Sequence, residues 1–393
     1  MWAFFLVAGG MLALLGSLVG FRLLLPLRLG LAPTAGIWIT LQLLAWLPLA
    51  LLALRRHLQP PRFLDSLMEL GWLVVGWISV AVILLLAKDL LGLALRLLGG
   101  AQALAAGPPA AWIEHGRSLL GSRAVALGIC GAVSLYVAWG VAGAYRLTRV
   151  VEVEVPVAGL HPDLDGLRIV QLSDLHIGPG IQRAQVARVA RAVQELQPEL
   201  VVFTGDLADG LPGDLGPEAA PLGEIQAPLG KWFITGNHEY YSDALGWLRV
   251  AEGVGFTPLL NQHVLLERGA GRLLLAGVPD VQGRRFFPSH ESRPDLALAG
   301  APPADFKLLL AHQPLSVFAA EQAGYDLMLS GHTHGGQYHP YTWVAGKANP
   351  YLKGLNRHSA RLQVYVSQGT GFWGPPIRVG TAPEITLLTL RRL

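Results

Sequence analysis

The stretch LRIVQLSDLHIG, residues 167–178, runs from a short apolar segment directly into Asp174 and His176. An apolar run of this length, 167–172, is consistent with a buried strand. Side chains two positions apart on an extended chain point the same way, so this carboxylate and this imidazole face the same point. Both groups are ligands for divalent metal ions. The stretch therefore predicts a strand that ends in a pair of metal ligands.

The same arrangement, an apolar run followed by a metal-binding residue type, recurs further along the chain. Because loops at strand ends can meet at one edge of a sheet, these residues can converge on a single site. The set offers carboxylate, imidazole and one amide but no thiolate, which suits manganese, iron or zinc. Five of the twelve histidines fall in these segments, which are Asp174-Leu-His176, Gly205-Asp206, Gly236-Asn-His-Glu239, His312 and Gly331-His-Thr-His334.

Strand-like and helix-like segments are mixed from residue 150 onward, which predicts a layered α/β fold with two sheets. Helices are expected at 182–196, from its apolar spacing, and at 242–252, with Ser242 as N-cap. The aromatic-rich stretch 338–358 allows three interpretations: a cap over the site, a surface on the membrane, or a long solvated loop. Strands are expected at 150–157, 167–172, 199–204, 231–235, 256–260, 264–266, 272–278, 306–310, 325–329, 362–367 and 384–390.

Taken together in this order, the segments resemble the motif set of the calcineurin-like metallophosphoesterases over residues 150–393. The longer strings LRIVQLSDLHIG, GHTHGGQ and APEITLLTL are similar to the bacterial, membrane-associated YkuE-type subfamily. The resemblance implies a four-layer α/β sandwich in which two mixed β-sheets are flanked by helices. It also implies two divalent metal ions as cofactors, and no metal-site position of the family pattern is missing.

The resemblance further implies a role for each motif residue. His238 would bind no metal and would instead stabilise the transition state or protonate the leaving oxygen. Asp209, Glu239 and Asp280 would orient imidazoles from outside the metal site. The first metal would be held by Asp174, His176 and His334, the second by Asn237, His312 and His332, and Asp206 would bridge both.

The first third of the chain has the composition of a membrane protein. The whole sequence is 52% hydrophobic and 15% charged, and the deficit of charge lies in the first 145 residues. Apolar stretches at 2–21, 31–54, 70–87 and 124–145 reach the length of about 20 residues that spans a bilayer. We expect residues 1–146 to be an all-α transmembrane anchor of four helices and residues 150–393 to be the phosphoesterase domain.

Charge and cysteine content exclude other classes of protein but do not orient the chain in the membrane. A net charge of +3 is too small to predict nucleic-acid binding, and the single Cys130 excludes disulfide frameworks and cysteine-based zinc sites. The positive-inside rule does not choose a side for the catalytic domain. Arg55, Arg56, Arg62, Arg146 and Arg149 would lie on that side, against Arg22, Arg28, Lys88, Arg96, Arg117 and Arg123 on the other.

These features predict a multi-pass membrane protein that hydrolyses a phosphodiester or related phosphate ester by attack of a metal-bridging hydroxide. Its partners would be the lipid bilayer and a phosphate-ester substrate, with a lipid-linked phosphodiester as one hypothesis. The alternative is a non-catalytic membrane sensor or scaffold that keeps the fold. A transporter is disfavoured, because the interiors of the predicted spans carry no ionisable residue.

Overall fold

The computed structural model describes residues 2–55, 63–106 and 110–393. Arg56 and Arg62, which entered the count of positive charges, lie outside the described residues. The chain forms two compact units. The first comprises Met1–Ala142 and Gly374–Ile377, and the second comprises Gly143–Trp373 and Arg378–Leu393.

Long apolar helices make up the first unit. The segments Val7–Leu27, Leu31–Leu54, Leu64–Ala103 and Arg123–Ala144 are long and apolar enough to cross a membrane. Within the described residues, the prediction of four helices able to span a membrane is therefore confirmed. The α-helices described in this part of the chain are α1 (Trp2–Leu24), α2 (Leu31–Arg55), α3 (Phe63–Ala106), α4 (Ala111–Leu120) and α5 (Arg123–Ala144).

Helix α3 is much longer than the span predicted at 70–87. It is continuous over 44 residues, which at 1.5 Å per residue gives about 66 Å, roughly twice the thickness of the hydrocarbon core. The charged residues Lys88 and Arg96 end the apolar stretch but not the helix, because lysine and arginine are good helix formers. Composition therefore located the span correctly but gave the wrong ends for the helix.

Polar contacts join the helices of the first unit. Arg22 of α1 forms an ion pair with Asp89 of α3. Nε2 of Gln42 in α2 donates to the carbonyl of Ala13 (3.2 Å) and to Oγ of Ser17 (3.1 Å), both in α1. Because a lipid environment offers few hydrogen-bond partners, such contacts between helices satisfy groups that would otherwise be costly to bury.

Two mixed β-sheets form the centre of the second unit, as predicted. Within residues 110–393 one sheet has the strand order β1-β12-β2-β3-β4-β5 and the other β10-β11-β9-β8-β7-β6. The strands are β1 (Arg149–Val157), β2 (Arg168–Leu172), β3 (Leu200–Phe203), β4 (Lys231–Phe233), β5 (Thr257–Pro258), β6 (Gln262–Arg268), β7 (Gly271–Gly277), β8 (Phe306–Leu310), β9 (Leu327–Ser330), β10 (Gly354–Arg357), β11 (Gln363–Val366) and β12 (Glu384–Arg392).

Central strands are buried on both faces, which explains their continuous apolar sequences. In β3, Leu200 and Val202 pack into the core between the two sheets, with Leu308 of β8. Val201 and Phe203 point the other way, into a second core against helices. The parallel pairing of β2 with β3 and of β3 with β4 brings the carboxyl ends of these three strands to one edge.

Helices cover the outer faces of the sheets, and two local predictions need correction. The helix expected at 242–252 begins at Ala244, and its N-cap is Asp243, whose Oδ1 accepts from the nitrogen of Gly246 (2.9 Å). Asp243 suits this position because a carboxylate both caps the helix and interacts favourably with its dipole. The remaining helices are α6 (Arg183–Glu195), α7 (Pro212–Leu215), α8 (Asn237–Ser242), α9 (Ala244–Gly253), α10 (Pro294–Ala297), α11 (Val317–Ala323) and α12 (Tyr341–Ala348).

The interpretation of 338–358 as a long loop is wrong. This stretch contains α12 and the edge strand β10, which pairs antiparallel with β11. Strand β10 has no apolar alternation of its own. Its sequence, Gly-Leu-Asn-Arg, has no β-branched or aromatic residue, so strand propensity did not indicate it; it forms by backbone pairing with β11, which follows shortly after it in the chain.

Candidate metal centre

The predicted ligands come together at the carboxyl ends of β2, β3, β4, β8 and β9. Their ligand atoms form two groups that could each hold a metal ion, and the atoms within each group lie within 4.8 Å of one another. A third group of the same kind includes His238, which the resemblance places outside the metal shell. The members are Asp174, His176 and His334 in the first group, Asp206, His312 and His332 in the second, and His176, Asp206 and His238 in the third.

The backbone of these residues is unusual. Five predicted ligands adopt left-handed dihedral angles, a conformation that costs free energy for residues with a side chain and clusters at functional sites. The strands therefore end before the site. Each of these ligands lies on a sharp turn that directs its side chain into the site. The φ values are 52° for Asp174, 53° for His176, 57° for Asp206, 70° for His332 and 51° for His334.

Gly205 shows how closely these turns approach each other. Its φ is +91°, and a Cβ at this position would lie 2.4 Å from the nitrogen of Gly236 and 2.9 Å from Nδ1 of His312. No side chain fits in that space. The glycines at the ends of β3 and β4 therefore allow Asp206 and the Gly236 turn to share one site.

In the first group, hydrogen bonds from neighbouring residues hold the Asp174 carboxylate in position. Oδ1 of Asp174 accepts from the backbone nitrogen of His332 (2.9 Å), and its Oδ2 accepts from Oγ of Ser173 (2.5 Å). The Nε2 atoms of His176 and His334 are 3.0 Å apart. Burial, with the nearby His176, holds the pKa of His334 well below its usual value, so this imidazole is neutral and has a lone pair to offer.

Two buried atoms of residues predicted to hold the second metal ion, His312 and Asn237, lack a hydrogen-bond partner. Nδ1 of His312 donates to the carbonyl of Thr204 (2.7 Å), while its Nε2 makes no hydrogen bond although it lies 3.1 Å from Oδ2 of Asp206. Oδ1 of Asn237 is likewise buried without a partner. Buried polar atoms are normally paired, and an imidazole nitrogen and an amide oxygen are both donors to a divalent cation. The residues therefore fit a metal ion.

The electrostatics of the centre favour cations. Burial alone would lower the pKa of His312, but Asp206 and other carboxylates raise this pKa well above its usual value. Burial opposes ionisation of Asp206 as well, yet His312 and His238 hold the pKa of Asp206 well below its usual value. Carboxylates that retain protons on buried imidazoles also attract metal ions to the same place.

Asp209 contacts two imidazoles at once. Its Oδ1 accepts from Nδ1 of His176 (2.7 Å) and from Nδ1 of His238 (2.7 Å). Nε2 of His238 faces the centre, 4.0 Å from Oδ2 of Asp206. Burial lowers the pKa of His238, but Asp206 and Asp209 outweigh it and raise that pKa to about 9.

Glu239 and Asp280 differ from the expectation that they orient imidazoles. The carboxylate of Glu239 accepts from the backbone nitrogens of Asp206 (3.0 Å), Leu207 (2.7 Å) and Gly236 (2.6 Å), and so ties two ligand loops together. Asp280 accepts instead from Nε2 of Gln313 (2.9 Å). Burial raises the pKa of Glu239 to about 7 and that of Asp280 to about 6.

Arg378 belongs to the surroundings of the centre but was not found from the sequence. It is buried, with Nη2 3.1 Å from Nδ1 of His334, and it donates to the carbonyls of Gln368 (2.7 Å) and Gly371 (2.5 Å). The only local sign is an arginine inside the apolar run PPIRV, where a charge would need buried partners. Nothing in that run points to His334.

Comparison with known sequences agrees with this geometry. The profile of the family described as Calcineurin-like phosphoesterase matches residues 167–336, a range that contains all the predicted ligands and His238. The metallophosphoesterase YkuE of Bacillus subtilis is 32% identical over 245 residues, which cover 58% of this chain and 80% of that protein. The chain belongs to the calcineurin-like metallophosphoesterase family.

Two vertebrate metallophosphoesterases share more of the sequence than YkuE does. Proteins of Danio rerio and Bos taurus, both named "Transmembrane protein with metallophosphoesterase domain", are 40% identical over 275 and 262 residues. The aligned parts cover 68% and 64% of this chain, which itself spans only 62% and 59% of the length of those relatives. Their names combine the two features found here, apolar membrane helices and a metallophosphoesterase domain.

Proposed function

We propose that this chain is a membrane-anchored phosphoesterase with two metal ions, in which residues 1–146 form the anchor and residues 150–393 the catalytic domain. The observation that carries the proposal is the position of Asp206 between the two ligand groups. Its Oδ2 lies 3.8 Å from Nε2 of His176 and 3.1 Å from Nε2 of His312. A carboxylate shared by two groups of ligands is the arrangement that a two-metal centre requires.

In this proposal each ligand keeps the role implied by the family resemblance. Two divalent ions held there supply Lewis-acid activation of water and neutralise charge on the phosphoryl oxygens. Manganese, iron and zinc all suit a donor set of oxygen and nitrogen without sulfur. The ligands are Asp174, His176 and His334 for one ion and Asn237, His312 and His332 for the other, with Asp206 common to both.

His238 is proposed as the proton donor to the leaving group. Asp206 and Asp209 raise its pKa to about 9, which favours the imidazolium form. In that form Nδ1 donates to Asp209, and the second proton, on Nε2, faces the centre. Proton donation from a positioned imidazole typically contributes about 10²–10⁴-fold to a rate.

We propose a phosphodiester rather than a monoester as substrate, and a lipid-linked one, because the candidate spans keep the domain at a bilayer. We also place the globular part with the YkuE-type subfamily, on the strings LRIVQLSDLHIG and GHTHGGQ. A panel of phospholipids, nucleotide-sugar lipids and soluble diesters tests the substrate. Activity confined to soluble nucleotides would contradict the lipid-linked substrate.

The test of the catalytic proposal is Asp206→Asn, assayed with bis-p-nitrophenyl phosphate and by metal analysis. We expect loss of hydrolysis and of bound metal, since the substitution removes the negative charge that would bridge the two ions. Asp295→Asn is the matched control, because Asp295 is exposed and pairs only locally with Arg293. Full activity in Asp206→Asn would refute the proposal. Metal binding by the unaltered chain without hydrolysis of any ester would support the sensor instead.

A further inference from the structure

Four aromatic side chains form a connected set with His238, two adjoining its ring and two adjoining those, and we call them the aromatic row: Tyr341, Trp373, Tyr241 and Phe286. The ring centroids of Trp373 and Tyr241 lie 6.0 Å and 5.3 Å from that of His238. Tyr341 continues the row beyond Trp373 at 6.0 Å, and Phe286 continues it beyond Tyr241 at 6.3 Å.

The row is a product of the tertiary structure. Tyr241 lies in α8 and Tyr341 in α12, while Phe286 follows β7 and Trp373 precedes β12. Tyr241 and Phe286 are 40% and 41% exposed, and Trp373 and Tyr341 are partly buried. Adjoining large apolar side chains that remain open to solvent mark binding surfaces more often than plain surface.

The position of the row relative to His238 determines what it can contact. Nδ1 of His238 donates a hydrogen bond to Asp209, and Nε2 faces Asp206. A leaving-group oxygen that receives the Nε2 proton must therefore lie beside this imidazole. The atoms attached to that oxygen are then close to the rings of Trp373 and Tyr241, which adjoin the imidazole.

The chemistry of the row favours an apolar group. The hydroxyl of Tyr241 already donates to Oε1 of Gln282 (2.9 Å), and no member carries a charge. A hydrocarbon chain gains free energy by leaving water for such a surface, whereas a hydroxylated group must give up hydration there. The candidate membrane spans of the same chain keep it where amphiphilic esters are concentrated.

We propose that the aromatic row is the subsite for the leaving group and that it selects phosphate esters whose leaving group carries an alkyl chain. This inference rests on the proposed function, because it takes His238 as the proton donor. It adds which part of the substrate carries the alkyl chain, the leaving group, and the residues that select it.

Straight-chain alkylphosphonates from ethyl to hexyl test the subsite. They are titrated calorimetrically into the full-length protein loaded with Mn²⁺, so the measurement needs no turnover. We expect binding to tighten about four-fold for each added methylene that is buried. Trp373→Ala and Tyr241→Ala should flatten this dependence. The matched control is Phe318→Ala, an aromatic residue that is 50% exposed and packs on His358 instead.

Three results would overturn the subsite: affinity that does not change with chain length, an unchanged dependence in both alanine variants, or a gain with phenylphosphonate but not with hexylphosphonate. The exposed Tyr241 provides a second variant should Trp373→Ala fail to fold. The two proposals fail separately. A protein that hydrolyses bis-p-nitrophenyl phosphate but binds all phosphonates equally refutes only the subsite. One that discriminates chain length without hydrolysing any ester refutes the catalytic proposal and the row's role for a leaving group, but leaves the row as an alkyl-binding surface.

Discussion

Asp209 illustrates how one carboxylate can serve a metal ligand and a proton donor together. It accepts from His176, which the proposal assigns to a metal, and from His238, which the proposal assigns to the leaving group. Burial would raise its pKa, but His176 and His238 hold that pKa below its usual value, so the carboxylate remains ionised. Removing its charge should therefore affect two separate measurements.

We expect Asp209→Asn to lower both metal affinity and kcat, each by about 10–100-fold, because an amide orients the two imidazoles less well. His238→Gln should lower kcat and leave the metal content unchanged. The double variant should then have the kcat of His238→Gln and the metal content of Asp209→Asn. Hydrolysis kinetics and metal analysis check this, and equal metal content in all the variants would contradict the role of Asp209 at His176.

His290 predicts a pH dependence of stability. Burial lowers its pKa, and its Nδ1 accepts from the hydroxyl of Tyr240 (2.7 Å). The folded protein thus binds fewer protons at this site than the unfolded chain, so stability is complete above the unfolded pKa of about 6.5 and is lost as pH falls. The decrease in Tm from pH 7.5 to pH 5 should be smaller in His290→Gln than in the unaltered protein. His115→Gln, at an exposed histidine, should show the full decrease.

At the scale of elements, the ends of the strands matter more than their lengths. Strands β3 and β4 are short, but each ends in a glycine-containing turn that carries a ligand. The parallel pairing of the two strands sets these turns side by side. The site therefore depends on the close approach of the backbones of these two turns. A single added methyl group would fill the space between them.

We expect Gly205→Ala to abolish metal binding and hydrolysis and to lower Tm, because its Cβ would meet the nitrogen of Gly236 at 2.4 Å. Gly159→Ala is the matched control. Gly159 has a similar φ of +71°, but a Cβ there meets nothing within 4 Å. It should lose only the 1–2 kcal/mol or so that left-handed dihedrals cost a residue with a side chain. Equal effects of the two substitutions on metal content would show that strain, not space, governs the site.

At the scale of the whole molecule, we predict that each of the four candidate spans crosses the membrane once. A short loop follows α1 near Leu29, and the exposed Ala360 lies in the second unit. If the prediction holds, one crossing precedes Leu29 and four precede Ala360, so these two positions should lie on opposite sides of the membrane.

Replacing Cys130 by serine removes the single native thiol, and Leu29→Cys or Ala360→Cys then introduces one thiol at a time. In sealed vesicles of one orientation, a membrane-impermeant maleimide should label only one of the two variants, and lysis should expose the other. The labelled variant also identifies the side of the catalytic domain, which the balance of positive charges did not. Labelling of both variants from one side would contradict four crossings.

Local chemistry determined much of this protein. The apolar stretches gave the membrane spans, the short apolar runs gave the central strands, and the residues after them gave every proposed ligand. These features are readable because periodicity and composition act over neighbouring residues. The two-sheet fold followed from the same pattern, since strands buried on both faces need layers on both sides.

Only the tertiary structure decided which distant groups meet. The double contact of Asp209, the approach of Arg378 to His334 and the aromatic row beside His238 each join separate segments of the sequence. Side chains such as Trp373 and Tyr241 carry no local mark of their role, because packing between separate elements places them there. Local pattern cannot encode such contacts, since their free energy depends on the positions of residues in other elements of the fold.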